Sequence, residues 1–270
     1  HIGVLKAFEE EKINIDYISG TSSGSIIAAL FAMGYNSNEI YYLFNRYSKK
    51  IKYINYKNIL KLIYGILVKR KIIIKGFNDG KIIEKIIDDA ADLKNIKNIN
   101  QIKMPLLIPS IEVHNGKIYC FCSQNKRARF SDKTVYVNNI NIGRAVRASC
   151  SYPLVFEPCK YKNLELVDGG IRENIPWKSL KEFGATTIIG AVFEKEDEKC
   201  CNNVIEVVGN SFEILCHELS NYELEGLEYL IKIKTKNISL LDMSETKYLY
   251  DIGYKTTKKE IKKIKENLKR

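Results

Sequence analysis

Short apolar runs of strand length alternate with helix-like segments along almost the whole chain. Strand-like runs include "IDYISG", "LELVDGG" and "TTIIGAVF", and helix-like runs include "SIIAALFAMGY" and "KIIEKIIDDAADL". This alternation is typical of an α/β fold with a mainly parallel sheet flanked by helices. No repeat, low-complexity tract or Pro/Gly/Ser-rich linker divides the chain, so we predict a single domain over residues 1–270.

Composition limits the class of protein and of partner. An apolar content of 45% over 270 residues is enough for a sizeable core and excludes a disordered tail. The net charge of +11 favours polyanionic partners, either nucleic acid or the anionic face of a membrane. The longest apolar stretch, residues 26–35, is about half of the roughly twenty residues that a membrane-spanning helix needs.

Cysteine usage indicates reduced thiols. The cysteines are odd in number and lack the paired spacing of zinc sites, which favours an intracellular, cytoplasmic protein without a structural metal. The sequence begins with His1 and not with Met, so a secreted form that has lost its signal peptide is the alternative. The seven cysteines are Cys120, Cys122, Cys150, Cys159, Cys200, Cys201 and Cys216.

A serine lies between two glycines, after a strand-like run and before a helix-like run. The stretch Gly20-Thr21-Ser22-Ser23-Gly24 matches G-x-S-x-G, in which glycines permit the strained backbone that exposes a nucleophile at the end of a strand. The start of the helix would place its positive dipole end beside Ser22 and favour an oxyanion there. We therefore predict Ser22 as a nucleophile, with Ser23 as a turn or helix-start residue.

The histidines are poor partners for this serine. His1 precedes the motif, and His114 falls at an Asn-Gly hairpin turn. His217 lies in a helix-like segment beside an apolar stripe, whereas catalytic histidines are usually carried on loops. A Ser-His-Asp triad is therefore poorly supported by the sequence.

Asp168 is a better candidate for the base. It follows the strand-like "LELV" and precedes Gly169-Gly170, so its carboxylate would emerge at the end of a strand, where α/β sheets place their sites. The alternative is an ordinary Asp-Gly-Gly turn. A carboxylate with a solution pKa near 4 is a weak base and acts only in hydrogen-bond contact with the hydroxyl, which spacing alone does not establish.

Several ordered motifs together resemble the patatin-like phospholipase family. They are "HIGVLKAFEEEKI", "ISGTSSGSIIAALFAMGY", "RAVRASCSYPLVFEP", "LVDGGIRENIPWKSLKEFGATTIIGAVF" and, more loosely, "DIGYKTTKKEI". The resemblance implies a three-layer fold related to the α/β-hydrolases and a Ser-Asp dyad. Those roles carry over to Ser22 in G-x-S-x-G and Asp168 in D-G-G, with Gly20, Thr21, Ser23, Gly24, Gly169 and Gly170 as supporting residues.

The family's glycine-rich oxyanion loop has no counterpart in this sequence. In the family the loop lies just before the segment that matches residues 1–5. Each donor of such a loop is typically worth about 3 kcal/mol of transition-state stabilisation. We expect the natural chain to extend through a short strand into that loop.

Residues 46–75 combine ten basic residues with no Asp or Glu and with many aliphatic and tyrosine side chains. A solvated basic helix is the ordinary interpretation of such a run. The alternative is a segment that lies in the headgroup layer of an anionic membrane, because it is too apolar to be all surface and too charged to be all core. The basic C-terminal stretch, residues 255–270, could face the same membrane.

The resemblance implies an acyl hydrolase that acts on glycerolipids, a phospholipid or a lysophospholipid, through an acyl-serine, with no cofactor. A catalytically inactive patatin-like protein that binds lipid or membrane is the main alternative. A nucleic-acid-binding module is disfavoured, because no helix-turn-helix, zinc-finger or RRM signature is present.

Overall fold

The structure is a computed structural model, and it describes residues 1–47, 50–124, 134–195, 203–224, 227–236 and 245–268. Lys49 of the basic segment and the pair Cys200 and Cys201 lie outside the described residues. The other five cysteines have free thiols. Among the described helices, none is both long and apolar enough to cross a membrane.

Helices and strands alternate as the sequence pattern predicts. The helices are α1 (Ile2–Glu10), α2 (Ser23–Ala32), α3 (Ser37–Tyr47), α4 (Tyr56–Tyr64), α5 (Lys81–Asp92), α6 (Ile142–Ser149), α7 (Trp177–Glu182), α8 (Val204–Glu223) and α9 (Thr246–Asn267). The strands are β1 (Ile18–Ser19), β2 (Leu106–Glu112), β3 (Ile118–Cys122), β4 (Thr134–Val137), β5 (Cys159–Tyr161), β6 (Leu164–Asp168), β7 (Ile189–Lys195) and β8 (Tyr229–Thr235).

Strand β2 is the centre of the larger sheet, and every one of its residues is buried. It pairs with β3 along one edge, while β1 and β6 share its other edge. The pairs β1–β2 and β3–β4 are parallel, and β2–β3, β2–β6 and β5–β6 are antiparallel. The β2–β3 hairpin turns at the predicted Asn115-Gly116, where Gly116 has a φ of 69°.

Side chains alternate between the two faces of this sheet, as the two-residue period of a strand requires. Leu106 and Ile108 face a core shared with α2, α5 and α6. Leu107, between them, faces a second core that contains Leu180 and Phe183 of the α7 region. Helices thus cover both faces of the sheet, which gives three layers.

A smaller sheet lies against the two ends of the chain. Strands β7 and β8 pair in parallel, and Ile231 and Ile233 of β8 are buried with Val4 and Phe8 of α1. Helix α9 packs on α1 so closely that a side chain at Gly3 would overlap the backbone of α9.

The α/β architecture flanked by helices is confirmed. The parallel pairs, β1–β2, β3–β4 and β7–β8, connect strands that are separated by longer stretches of chain. The larger sheet is mixed, because the tight turns β2–β3 and β5–β6 can join only antiparallel neighbours.

Candidate active site

Ser22 lies at a sharp turn between β1 and α2. Its φ of 53° is in the left-handed region, a conformation that costs a non-glycine residue of order 1–3 kcal/mol. It is the residue that precedes the first turn of α2, so its side chain stands at the positive end of the helix dipole. This strand–turn–helix geometry is the one predicted from the G-x-S-x-G stretch.

Hydrogen bonds on both sides of Ser22 hold the strained backbone. Its N–H donates to the hydroxyl of Ser149 at 3.0 Å. Its carbonyl accepts from the Ser25 hydroxyl at 2.6 Å and from the Cys150 thiol at 3.1 Å. The backbone N–H of Ser23 makes no hydrogen bond with any described residue, which leaves a free donor next to the serine.

Asp168 ends β6 and is only 3% exposed. Burial raises its pKa to about 6, while the nearby Ser22 hydroxyl and the Gly170 N–H, which donates to Oδ1 at 2.9 Å, lower the pKa in part. Oδ2 has no hydrogen-bond partner of normal geometry among the described residues, although the Ser22 hydroxyl is near enough to affect the carboxyl. Asp168 is therefore a stronger base than a solvated carboxylate, with one oxygen uncommitted.

Strand β2 brings these two distant residues together. Ser19 of β1 pairs with Leu107, and Asp168 of β6 pairs with Ser110. Strands β1 and β6 both lie along the same edge of β2, so the turn after β1 and the end of β6 are close together.

Two of the supporting glycines allow backbone segments around Ser22 and Asp168 to pack closely. A side chain at Gly20 would come within 2.4 Å of the Gly24 carbonyl oxygen. One at Gly169 would come within 2.5 Å of the Pro109 carbonyl oxygen. No such clash arises at Gly24, where the nearest atom would be 3.7 Å away.

A cavity of about 960 Å³ opens over the pair. Its volume lies at the upper end of the range for small-molecule sites. Residues at its polar end are Thr21, Ser22, Ser23, Asp168 and Gly170. Apolar residues of α1 and β7 and the inner face of α8, such as Leu5, Val192 and Phe212, line much of the rest.

The three histidines make no hydrogen bond to Ser22 or Asp168. His1 Nε2 lies 3.2 Å from the Ala191 carbonyl oxygen, and His114 is exposed 3.5 Å from Glu165. His217 lines the cavity, but it is exposed on α8 and contacts Asn221 at 3.4 Å. The part of the chain that the structure describes holds no cluster of three or more His, Cys, Asp or Glu side chains that could bind a metal ion.

Sequence reasoning missed residues that hold the backbone of Ser22 and Asp168 in place through hydrogen bonds. Ser149, fully buried at the end of α6, accepts the Ser22 N–H, and the Ser151 carbonyl accepts the Asp168 N–H at 3.0 Å. Thr21, which the sequence did indicate as a supporting residue, donates its hydroxyl to the Glu173 carbonyl at 2.8 Å and so ties the serine turn to the loop after Asp168. The only sequence signal was the small polar run "RASCSYP", which a helix end explains equally well.

Comparison with known proteins places these features in a family. The model of the patatin-like phospholipase family matches residues 1–181, about two thirds of the chain. The match includes the serine turn, β2, α6 and the end of β6 with its Asp-Gly-Gly.

Individual relatives differ in how much of their length is matched. YqhO of Bacillus subtilis, an uncharacterized protein, is 30% identical over 79% of this chain and 74% of its own. R571 of Acanthamoeba polyphaga mimivirus, also uncharacterized, is 28% identical over 97% of this chain and 89% of its own. The lysophospholipase NTE1 of Candida albicans is 24% identical over 80% of this chain, which spans only 14% of that much longer protein.

The family match thus covers both of the segments that the sheet brings together, and it agrees with the α/β architecture. YqhO, at 30% identity over most of both chains, supports the same relationship. The chain belongs to the patatin-like phospholipase family.

Proposed function

We propose that the protein is a lipid acyl hydrolase in which Ser22 is the nucleophile and Asp168 is its base. The observation that carries this proposal is a buried carboxyl group with a pKa of about 6 beside the hydroxyl of a serine at a helix start. At pH 7 the carboxyl is mostly ionised, yet it is more basic than an ordinary aspartate, which suits general base catalysis.

The reaction proceeds in two steps. As the Ser22 oxygen attacks the ester carbonyl carbon, its proton passes to Asp168, and the proton then goes to the leaving alkoxide as the alcohol departs. Water next attacks the acyl-serine and gives its proton to Asp168. The fatty acid leaves when the ester bond to Ser22 breaks and the serine oxygen regains a proton. The free Ser23 N–H and the α2 dipole stabilise the oxyanion in both steps.

The substrate is a glycerolipid, either a phospholipid or a lysophospholipid. A cavity with a polar end at Ser22 and mostly apolar walls suits an ester with a long acyl chain. The NTE1 relatives are named lysophospholipases, an activity of the same class. The net charge of +11 further favours a substrate presented at an anionic membrane surface.

We propose that residues 1–270 form one catalytic domain. The two ends of the chain are joined, since Glu11 after α1 binds Lys265 of α9 at 2.7 Å and Tyr254 of α9 donates to Glu10 at 2.7 Å. Helix α9 also packs on β8, which in turn pairs with β7 at the wall of the cavity.

Labelling by a serine-reactive fluorophosphonate tests the proposal. We expect the wild type and the Ser211→Ala control, which changes an exposed serine outside the cavity, to be labelled equally. Ser22→Ala should lose the label and the hydrolysis of a water-soluble short-chain ester. Equal labelling of Ser22→Ala and wild type would contradict the assignment. Absence of label and turnover in the wild type would favour an inactive lipid-binding protein.

A further inference from the structure

Residues 54–73, which we name the basic-apolar surface, leave large apolar side chains in water. Of the 23 exposed large hydrophobic residues in the described chain, eleven lie in this stretch. They are Ile54, Tyr56, Ile59, Leu60, Ile63, Tyr64, Ile66, Leu67, Val68, Ile72 and Ile73. So dense a cluster marks an interaction site, because the surfaces of soluble proteins rarely carry one without a partner.

The segment that carries these apolar side chains is rich in cations and contains no acidic residue. Residues 50–75 hold eight Lys or Arg and no Asp or Glu. Lys75 pairs with Glu165 at 2.6 Å, whereas the other seven make no ion pair with a described residue. Those seven are Lys50, Lys52, Lys57, Lys61, Lys69, Arg70 and Lys71.

This combination fits an anionic phospholipid bilayer better than it fits a second copy of the chain. Two copies would bring seven unpaired cations on each side into one low-dielectric interface, and burying unpaired charge is costly. At a bilayer, apolar side chains enter the acyl boundary while lysines reach the phosphates, and tyrosines suit the region between them. Charge and apolarity then act in the same direction.

The basic-apolar surface is attached firmly to one loop, residues 154–157. Asn58, on the buried side of α4, donates through Nδ2 to Glu157 Oε1 at 3.1 Å and to the Gly76 carbonyl at 3.0 Å. Just beyond the surface, the Phe77 N–H donates to the Leu154 carbonyl at 3.0 Å, and Asn78 exchanges backbone bonds with residues 155 and 157 at 2.9 and 2.8 Å.

The same loop continues directly from the residues that hold the active site. Ser149 accepts the Ser22 N–H, and Ser151 accepts the Asp168 N–H. Tyr152 lines the cavity and donates its hydroxyl to the Gly209 carbonyl of α8 at 3.2 Å. One continuous stretch, residues 149–157, therefore connects the basic-apolar surface to Ser22 and Asp168.

From these contacts we infer that the basic-apolar surface docks the protein on anionic phospholipid bilayers and, through residues 149–157, holds the Ser22 cavity in a fixed position at the bilayer. Docking is independent of the function proposed above. Only its consequence for lipid hydrolysis rests on that function.

Co-sedimentation with vesicles tests the docking. The vesicles are phosphatidylcholine alone or phosphatidylcholine mixed with phosphatidylserine, at low and high salt. The charge variant changes Lys69, Arg70 and Lys71 to Gln, and its matched control changes Lys97, Lys103 and Lys117, which are exposed elsewhere. At about 1 kcal/mol per cation, the charge variant should bind mixed vesicles about 100-fold more weakly at low salt, and the control should bind like wild type.

An apolar variant separates lipid insertion from a purely electrostatic contact. Leu60, Leu67 and Ile72 change to Ser, and the control changes Tyr42, Leu93 and Val113 to Ser. We expect at least a tenfold loss of vesicle binding for the first variant only. Docking is overturned if both surface variants bind as wild type does, or if the apolar variant changes the sedimentation coefficient of the protein and not its vesicle binding.

Glu157→Ala, which removes the acceptor of the Asn58 amide and lies outside the basic-apolar surface, tests the connection to the cavity. It should bind vesicles and hydrolyse a water-soluble ester as wild type does, but hydrolyse vesicle phospholipid several-fold more slowly. Unchanged vesicle hydrolysis would overturn the connection. If neither the wild type nor any variant hydrolyses an ester, but vesicle binding changes as expected, the proposed function is wrong and the docking surface is supported.

Discussion

Asp168 is 3% exposed although a carboxylate prefers water, and Leu67 is 74% exposed although a leucine prefers the core. The cavity and the basic-apolar surface therefore break opposite rules of burial. In the cavity, the Gly170 N–H that donates to Oδ1 and the backbone bond from the Asp168 N–H to the Ser151 carbonyl hold a costly carboxylate in place. On the surface, the fold leaves apolar area uncovered in a segment rich in cations.

The two regions differ in what offsets the unfavourable free energy of their exposed or buried groups. The cost of the buried carboxylate is offset inside the protein, by the packing of β2 and its neighbours. The cost of the exposed leucines is offset only by contact with something outside. Substitutions should therefore separate the two regions, with effects on chemistry at the first and on binding at the second.

The largest expected effect follows Asp168→Asn. An amide cannot take the serine proton, so we expect ester hydrolysis to fall by about 10³-fold or more. Glu165→Gln, on the same strand but with its side chain 19% exposed beside Lys75, is the matched control and should keep most of the activity. Steady-state kinetics on a soluble ester measure both, and a nearly active Asp168→Asn protein would exclude Asp168 as the base.

The next effect separates the two glycines of the serine turn. Gly20→Ala forces a methyl group against the Gly24 carbonyl, so the turn must shift, and we expect about a 100-fold loss of kcat/KM and a destabilisation of about 1–3 kcal/mol. Gly24→Ala brings its methyl group only into ordinary van der Waals contact with the His1 ring, at 3.7 Å, and should retain wild-type stability. Equal stability of the two variants in urea denaturation would contradict the close contact between Gly20 and the Gly24 carbonyl.

The pH dependence has a defined sign. Asp168 must be ionised to accept a proton, so kcat/KM should fall about tenfold per unit as the pH drops below about 6. The same pKa lies above that of an unfolded aspartate, so the native state binds more protons than the unfolded state between about pH 4 and 6. Stability therefore falls as the pH rises through that range, and the full cost of the ionised carboxyl is present above it.

Asp168→Asn removes this cost. We therefore expect the variant to be more stable than wild type at pH 7.5, by about 3 kcal/mol at most, since a shift of one pKa unit corresponds to about 1.4 kcal/mol. The gain should shrink as the pH is lowered to about 4.5. Thermal unfolding at several pH values measures it, and a gain that grows at acid pH would contradict the buried, raised carboxyl.

The smallest effect is expected on the stability of the basic-apolar surface. Leu67→Ser should change the free energy of unfolding by no more than about 0.5 kcal/mol, because the leucine is already in water. Ile87→Ala, in the core between α5 and its neighbours, should cost about 2–5 kcal/mol. If Leu67→Ser is as costly as Ile87→Ala, the surface is packed and is not a free docking face.

The local pattern of the sequence by itself determined several elements of this protein. The apolar spacing of residues 2–8 and the run after Ser22 were sufficient for α1 and α2, and Pro153 marked the end of the α6 region. The strand before Asp168 was predicted for the same reason. These are short-range signals, since helix and strand periods and breakers act within a few residues.

Only the tertiary structure decided how these elements meet. Ser22 and Asp168 are distant in the chain and come together because β1 and β6 pair with the same edge of β2, a choice made by the packing of two cores. Ser149 was hidden for the same reason, since nothing local distinguishes a serine that accepts a strained N–H from one that ends a helix. The raised pKa of Asp168 likewise depends on burial, which is a property of the assembled fold.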